Sequence, residues 1–113
     1  MTVTIYHNPR CSKSRAALAL LRERGISPDI VDYLADPPSA DELKRILALL
    51  GIEPRQLLRA KEAREVGLDD PGLDDEALIA GMVAHPIVIE RPIVIRGRRA
   101  RIGRPPEKVL EIL

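Results

Sequence analysis

The sequence predicts an α/β fold: a small mixed sheet of about four strands flanked by helices, with a helical insertion between strands 2 and 3. Three observations lead there. The apolar pattern switches from period two to helical spacing across Asn8-Pro9. An apolar segment at Asp29 to Leu34 then closes a βαβ unit, and a β-branched run near the end is followed by a Gly turn and a Pro-opened helix. At this length one domain, 1–113, is expected.

Thr2 to Tyr6 alternates polar and apolar residues, is rich in β-branched side chains and stops at Asn8-Pro9, which reads as the first strand. From Ser12 the spacing becomes helical, with Ala17, Leu20, Leu21 and Arg24 on one face and Gly25 as the stop. Asp29 to Leu34 is the second strand, parallel to the first through a right-handed crossover. Ser39 and Glu42 have capping-box spacing ahead of Leu43, Ile46, Leu47 and Leu50, and Gly51 closes that helix. A turn at Pro54 to Leu58 and a short helix at Lys61 to Val66 follow. Asp74 or Asp75 caps a helix with Leu78, Ile79, Met82 and Val83 on one side. Pro86-Ile87-Val88-Ile89 is echoed by Pro92-Ile93-Val94-Ile95; the second copy reads as a strand pairing, through a turn at Gly97, with Ala100 to Ile102. A closing helix starts around Pro105 and turns Val109, Leu110 and Leu113 inward. This order of elements is that of a thioredoxin-like sheet.

Composition narrows the function classes. With no Phe or Trp and only two Tyr, the core is aliphatic and aromatic stacking on bases is not expected. A net charge of +1 argues against duplex DNA or an anionic membrane as partner. No run approaches the ~18 apolar residues of a membrane span and no basic region precedes the first apolar stretch, so a soluble cytoplasmic protein is expected. The acid-free run from Arg91 to Arg104 holds six arginines and reads as a solvated hairpin near an anion site, not a nucleic-acid surface.

Cys11, the only cysteine, forms no internal disulfide, and structural zinc lacks sulfur partners here, so no metal is expected. It stands between the first strand and the first helix, where the N–H groups of the opening turn favour a thiolate and would hold an oxyanion beside it. Arg10, Lys13, Arg15 and His7 are close in sequence; His7 either tunes the sulfur or satisfies a backbone group at the strand end. The plain alternative, a small buried cysteine, fits poorly in a loop flanked by Arg10, Ser12, Lys13 and Ser14. A C-x-x-C pair fails because Ser14 stands at its second position. A phosphatase-type loop fails because Ala17 stands where its arginine would be.

Four fragments carry a resemblance: IYHNPRCSKSR around Cys11, LLRAKE around Arg59, HPIVIERPIVI around Arg91 and IGRPPEKVLEIL around Arg104. In this order and spacing they resemble the ArsC-type arsenate reductases, thioredoxin-like proteins coupled to glutaredoxin and glutathione, over nearly the whole chain. The resemblance implies that Cys11 is the nucleophile, that Arg59, Arg91 and Arg104 surround the oxyanion, and that His7, Ser14, Arg15 and Pro92 support them, with a cis bond before Pro92. Position alone would not select three of the chain's fourteen arginines. The implied reaction is reduction of arsenate or a related oxyanion by a monomer with no bound cofactor, glutathione being the co-substrate and glutaredoxin the protein partner. Three other readings stand beside it: another thiol-dependent oxidoreductase of the superfamily, a noncatalytic anion-binding module, and a noncatalytic Spx-like transcription regulator, which commonly carries the C-x-x-C switch that Ser14 removes here.

Overall fold

The computed structural model describes residues 2–113, in two compact units: Met1–Asp36 with Arg91–Leu113, and Pro37–Glu90. The first unit holds strand β1 (Val3–His7), helix α1 (Ser12–Glu23), strand β2 (Asp29–Asp32) and, after the insertion, strands β3 (Ile93–Arg96) and β4 (Arg99–Ile102) with a closing 3-10 helix at Pro106–Ile112. The sheet order is β2-β1-β3-β4. β1 runs parallel to β2, with Ile5 opposite Ile30, and antiparallel to β3, with Ile5 opposite Val94; β3 pairs antiparallel with β4. This is the mixed four-strand sheet of the thioredoxin-like fold that the element order predicts.

β1 forms because VTIYH is dense in β-branched and aromatic side chains, and four of its five residues are buried. Its Val3 and Ile5 join Val94 of β3, Ala17, Leu18 and Leu21 of α1, and Val109 and Ile112 of the closing helix in one aliphatic cluster. Fully burying an aliphatic side chain of this size contributes roughly 1.5–3 kcal/mol, so a few such residues suffice to anchor α1 over the sheet. The inward face of α1 is Ser14, Ala17, Leu18 and Leu21 rather than the expected line through Leu20 and Arg24. Both lines satisfy helical spacing, and the one that reaches the cluster wins, leaving Leu20 half-buried and Arg24 exposed. Gly25 ends the helix with φ +75, the left-handed conformation that glycine adopts without steric cost.

The closing segment is a 3-10 helix, and its fully buried residues are Val109 and Ile112. Three-residue spacing is the repeat of that helix, which explains why Leu110 and Leu113, expected inside, pack only partly buried against the rim of the cluster. Gly97 makes the β3–β4 turn at φ +62. Arg98 and Arg99 are exposed there, whereas Arg96 donates to the Ile112 carbonyl at 3.3 Å and Arg101 pairs with Glu111 at 2.9 Å. The middle of the basic run thus ties the hairpin to the closing helix.

Gly103 sets the approach of the two Pro-containing segments. Its N–H donates to the Pro92 carbonyl at 2.9 Å, and a Cβ added to it would lie 2.8 Å from Pro92 Cγ and 3.2 Å from Val109 Cγ1. The proline ring is held by its own backbone and cannot swing aside as a flexible side chain can. Gly103→Ala is therefore expected to lower stability by about 1–3 kcal/mol, read as a lower melting temperature in thermal unfolding.

In the second unit, helix α2 (Ala40–Leu50) is capped as the sequence predicts: Ser39 Oγ accepts from the Glu42 N–H at 3.1 Å, and Gly51 follows at φ +69. A 3-10 turn at Pro54–Leu57 leads to α3 (Ala60–Glu65), and Asp74 caps α4 (Asp75–Ala84) through the Ala77 N–H at 2.8 Å. α4 buries Leu78, Ile79 and Met82, while Val83, expected with them, is exposed because it lies ~40° around the helix beyond Ile79, the edge of that buried face. The first PIVI copy forms a 3-10 turn at Pro86–Val88, and Ile89 bridges Leu58. Paired bonds, Arg59 N–H to the Val88 carbonyl and Glu90 N–H to the Leu57 carbonyl, both 2.8 Å, set Arg59 beside Glu90.

Candidate active site

Cys11 is the N-cap of α1, with extended backbone at φ −93 and ψ 121, and is partly buried. Its N–H donates to the Asn8 carbonyl at 3.0 Å and its carbonyl accepts from the Arg15 N–H at 3.0 Å, so the loop turns tightly into the helix. The sulfur faces the Lys13 and Ser14 N–H groups without closing a capping hydrogen bond. Arg104 reaches over from beyond β4: its Nη2 lies 3.6 Å from Cys11 Sγ while its Nε donates to the Arg91 carbonyl at 2.8 Å. Arg91, buried just ahead of the cis bond to Pro92, also directs its guanidinium to the sulfur. A second cis bond joins Arg104 to Pro105.

These neighbours determine the ionisation of Cys11. Burial pushes the thiol up, but the Ser14 N–H, the Arg91 guanidinium, the Lys13 N–H and the Arg104 charge together outweigh it, holding the thiol below its ordinary value. The result is a thiol of lowered pKa flanked by two planar forks and an α-helix N-terminus, an arrangement suited to an oxyanion in contact with sulfur.

His7 and Ser14 stand behind the sulfur. His7 Nδ1 and Ser14 Oγ are 2.6 Å apart, and the same hydroxyl accepts from the Asn8 N–H at 3.0 Å. The one hydroxyl therefore meets both the imidazole and the loop backbone. Burial lowers the His7 pKa, Asp32 opposes this, and Arg22 and Arg15 add to it, so the ring stays uncharged at neutral pH. His7 thus braces the loop through Ser14. As pH falls, the unfolded chain takes up this proton first. The His7 contribution to stability is therefore complete above the ordinary imidazole value of 6.5 and is lost as pH falls through the lower folded value. Melting temperature should fall as pH drops from 6.5 through that lower value, and His7→Asn should flatten the dependence.

Arg15 donates from Nη1 to the Pro9 carbonyl at 2.9 Å and so braces the same loop. Arg59 belongs to the second unit, where it is the N-cap of α3 and pairs with Glu90 at 2.7 Å and Glu62 at 3.3 Å. Burial works against its charge, and the two carboxylates overcome that, so the guanidinium is firmly cationic. Asn8, read from the sequence only as a turn residue, is buried and holds the loop through its Oδ1, which accepts from the Arg10 N–H at 2.9 Å. Its place two residues before Arg10, the spacing of an Asx turn, was the available signal. Among the described residues no cluster of three or more His, Cys, Asp or Glu is arranged to hold a metal ion, and no helix is long and apolar enough to cross a membrane.

Comparison with known proteins fits this geometry. The family model described as the ArsC family matches residues 6–112. The arsenate reductase of Neisseria meningitidis serogroup A is 48% identical over 114 residues, covering 98% of this chain and 97% of its own. An uncharacterized protein of Escherichia coli K12, YfgD, is 53% identical over 114 residues, covering 98% and 96%. The solved structure of an arsenate reductase from Vibrio cholerae superposes with a TM-score of 0.96 at 54% identity, covering 100% of this chain and 98% of its own. A match spanning the Cys11 loop, both Pro-preceding arginines and the closing helix leaves one conclusion: this chain belongs to the ArsC family.

Proposed function

We propose that this protein is an arsenate reductase in which Cys11 is the nucleophile and glutathione and glutaredoxin supply the external thiols. The observation that carries the reading is the Cys11 sulfur at a helix N-terminus with the Arg104 guanidinium 3.6 Å away and Arg91 beside it. Names borne by relatives near half identity support arsenate as the oxyanion.

The Cys11 thiolate attacks arsenic(V) and displaces a hydroxyl, which leaves as water after taking a proton, forming a sulfur–arsenic bond. Arg91 and Arg104 offset the charge on the remaining oxygens; Arg59 enters as the third cation through its place in the LLRAKE fragment. Reduction to arsenic(III) takes two electrons, and a chain with one thiol must draw on a second sulfur from outside. Glutathione attacks the Cys11 sulfur, forming a Cys11–glutathione disulfide as the sulfur–arsenic bond breaks and its electron pair leaves with arsenic as arsenite; a glutaredoxin thiol then takes the glutathione from that disulfide and restores the Cys11 thiol. The cytoplasm, where thiols are kept reduced, suits this cycle, and a monomer acting as one domain over 1–113 suffices for it.

Arsenite formation by the purified protein, with arsenate, glutathione and glutaredoxin supplied together and each then omitted, tests the reading. Arsenite should appear with all three and fall to background without either thiol source. Turnover unaffected by leaving out glutaredoxin would remove that partner, and no turnover with any combination would remove the activity.

A further inference from the structure

Tyr33 is one of only two aromatic side chains in the sequence and its side chain is almost entirely enclosed, at 1% exposure. Its hydroxyl is buried without a hydrogen bond of ordinary geometry. It directly follows Asp32, the last residue of β2, which lies opposite His7 at the end of β1; Tyr33 therefore comes alongside Asn8, the first residue of the Cys11 loop. The polar groups facing the phenol oxygen are the Arg91 guanidinium and the Asn8 side chain, and the charge of Cys11 reaches it.

Asn8 is already committed to the loop. Its N–H donates to Ser14 Oγ, its carbonyl receives the Cys11 N–H, and its Oδ1 receives the Arg10 N–H. The bond from Arg10 assigns the amide oxygen, so the donor end, Nδ2, is the end left for Tyr33. We propose that Tyr33 is a positioning residue of the Cys11 site: its buried hydroxyl oxygen, which closes no hydrogen bond of ordinary geometry, is the acceptor that the Asn8 amide and the Arg91 guanidinium face, linking the cysteine loop to the arginine and holding the Arg91 fork on the sulfur.

Two physical points carry this beyond space-filling. A phenylalanine would fill the same volume without enclosing a hydroxyl, and an enclosed hydroxyl short of partners costs stability, so the oxygen has a use that packing does not supply. The Arg91 side chain is long and rotamer-rich, and an acceptor on the strand side removes freedom that the fork would otherwise lose only on binding an anion. Burial pushes the phenol pKa up, against the opposing pull of Arg91 and Asn8, so the group stays neutral and does not compete with the oxyanion for the arginine as a charge would.

The proposal rests on the anion-site reading above, and the test separates the two. Tyr33→Phe should melt at the same temperature as the parent or higher. The pH midpoint of Cys11 alkylation should rise in the variant, and the inorganic phosphate concentration that protects Cys11 should increase roughly tenfold, the scale of one charge-assisted hydrogen bond. In an Arg91→Ala background the same substitution should change neither. An unchanged midpoint and unchanged protection in a folded Tyr33→Phe protein would overturn the proposal, as would an equal further loss on top of Arg91→Ala. Failure of Tyr33→Phe to fold would also overturn it, by making the hydroxyl a structural group. Neither readout requires arsenate turnover, so an inactive parent would strike the reductase reading and leave the midpoint to decide this one.

Discussion

Replacing Cys11 with serine is expected to take arsenate reduction to the uncatalysed background while making the protein slightly more stable. The activity loss follows from chemistry: a hydroxyl in the same place is not ionised at neutral pH and forms no disulfide, so neither attack on arsenic nor resolution by an external thiol remains. The stability gain follows from the cap. Cys11 occupies the N-cap of α1 without closing a side-chain hydrogen bond there, and serine is among the preferred N-cap residues, with a hydroxyl suited to the Ser14 N–H. A gain of about 0.5–1 kcal/mol is the scale of such a cap. Chemical denaturation alongside the arsenite assay reads both. Residual turnover would displace Cys11 as nucleophile, and a marked loss of stability would mean that the thiol serves the core.

The second large effect is expected at the arginines. Arg91→Ala and Arg104→Ala should each weaken oxyanion binding or turnover by roughly ten- to a hundredfold, since each removes a charge-assisted contact worth ~1.5–3 kcal/mol. Arg104→Ala also releases the Arg91 carbonyl that its Nε holds at 2.8 Å. Arg91→Lys should be nearly as harmful as Arg91→Ala, because the charge survives without the planar fork. Arg59→Ala tests the third cation, in a guanidinium already paired with Glu90 and Glu62. Arg98 and Arg99, exposed at the hairpin turn, are the internal controls and should stay near the parent value. Kinetics against arsenate concentration for the series distinguishes a site from a diffuse basic surface, which would show as equal, small losses at every position.

What could be read from the sequence is what neighbouring residues decide between themselves. The strand-to-helix switch at Asn8-Pro9, the Ser39 and Asp74 caps and the turns at Gly25, Gly51 and Gly97 all follow from local backbone preferences, and all are present. The inward face of α1 was one step off because Leu18 and Leu20 satisfy helical spacing about equally, and only the sheet beneath chooses. Nothing in the closing segment's sequence fixes its helical pitch, and the 3-10 repeat buries Ile112 in place of Leu110 and Leu113.

At the site, the placement of Cys11 at a helix start was legible from its own loop. The three arginines are not legible from position, because the proline after Arg91 and after Arg104 does not by itself mark an anion ligand and Arg59 lacks even that; only the fragments around them select these three. The bracing of that loop was hidden too. His7, Ser14 and Asn8 meet through one hydroxyl, and that depends on how tightly the loop turns back on the strand. Tyr33 is tied to the loop across two strands, a relation that sequence adjacency cannot express.

The most direct test of the central claim, that a low-pKa Cys11 and an oxyanion share one place, is the rate of Cys11 alkylation against pH, with and without arsenate. A midpoint below the free-thiol value of about 8.5 and marked slowing by arsenate are expected, because the anion occupies the arginine forks beside the sulfur. A midpoint near that free value with no protection by arsenate would contradict it.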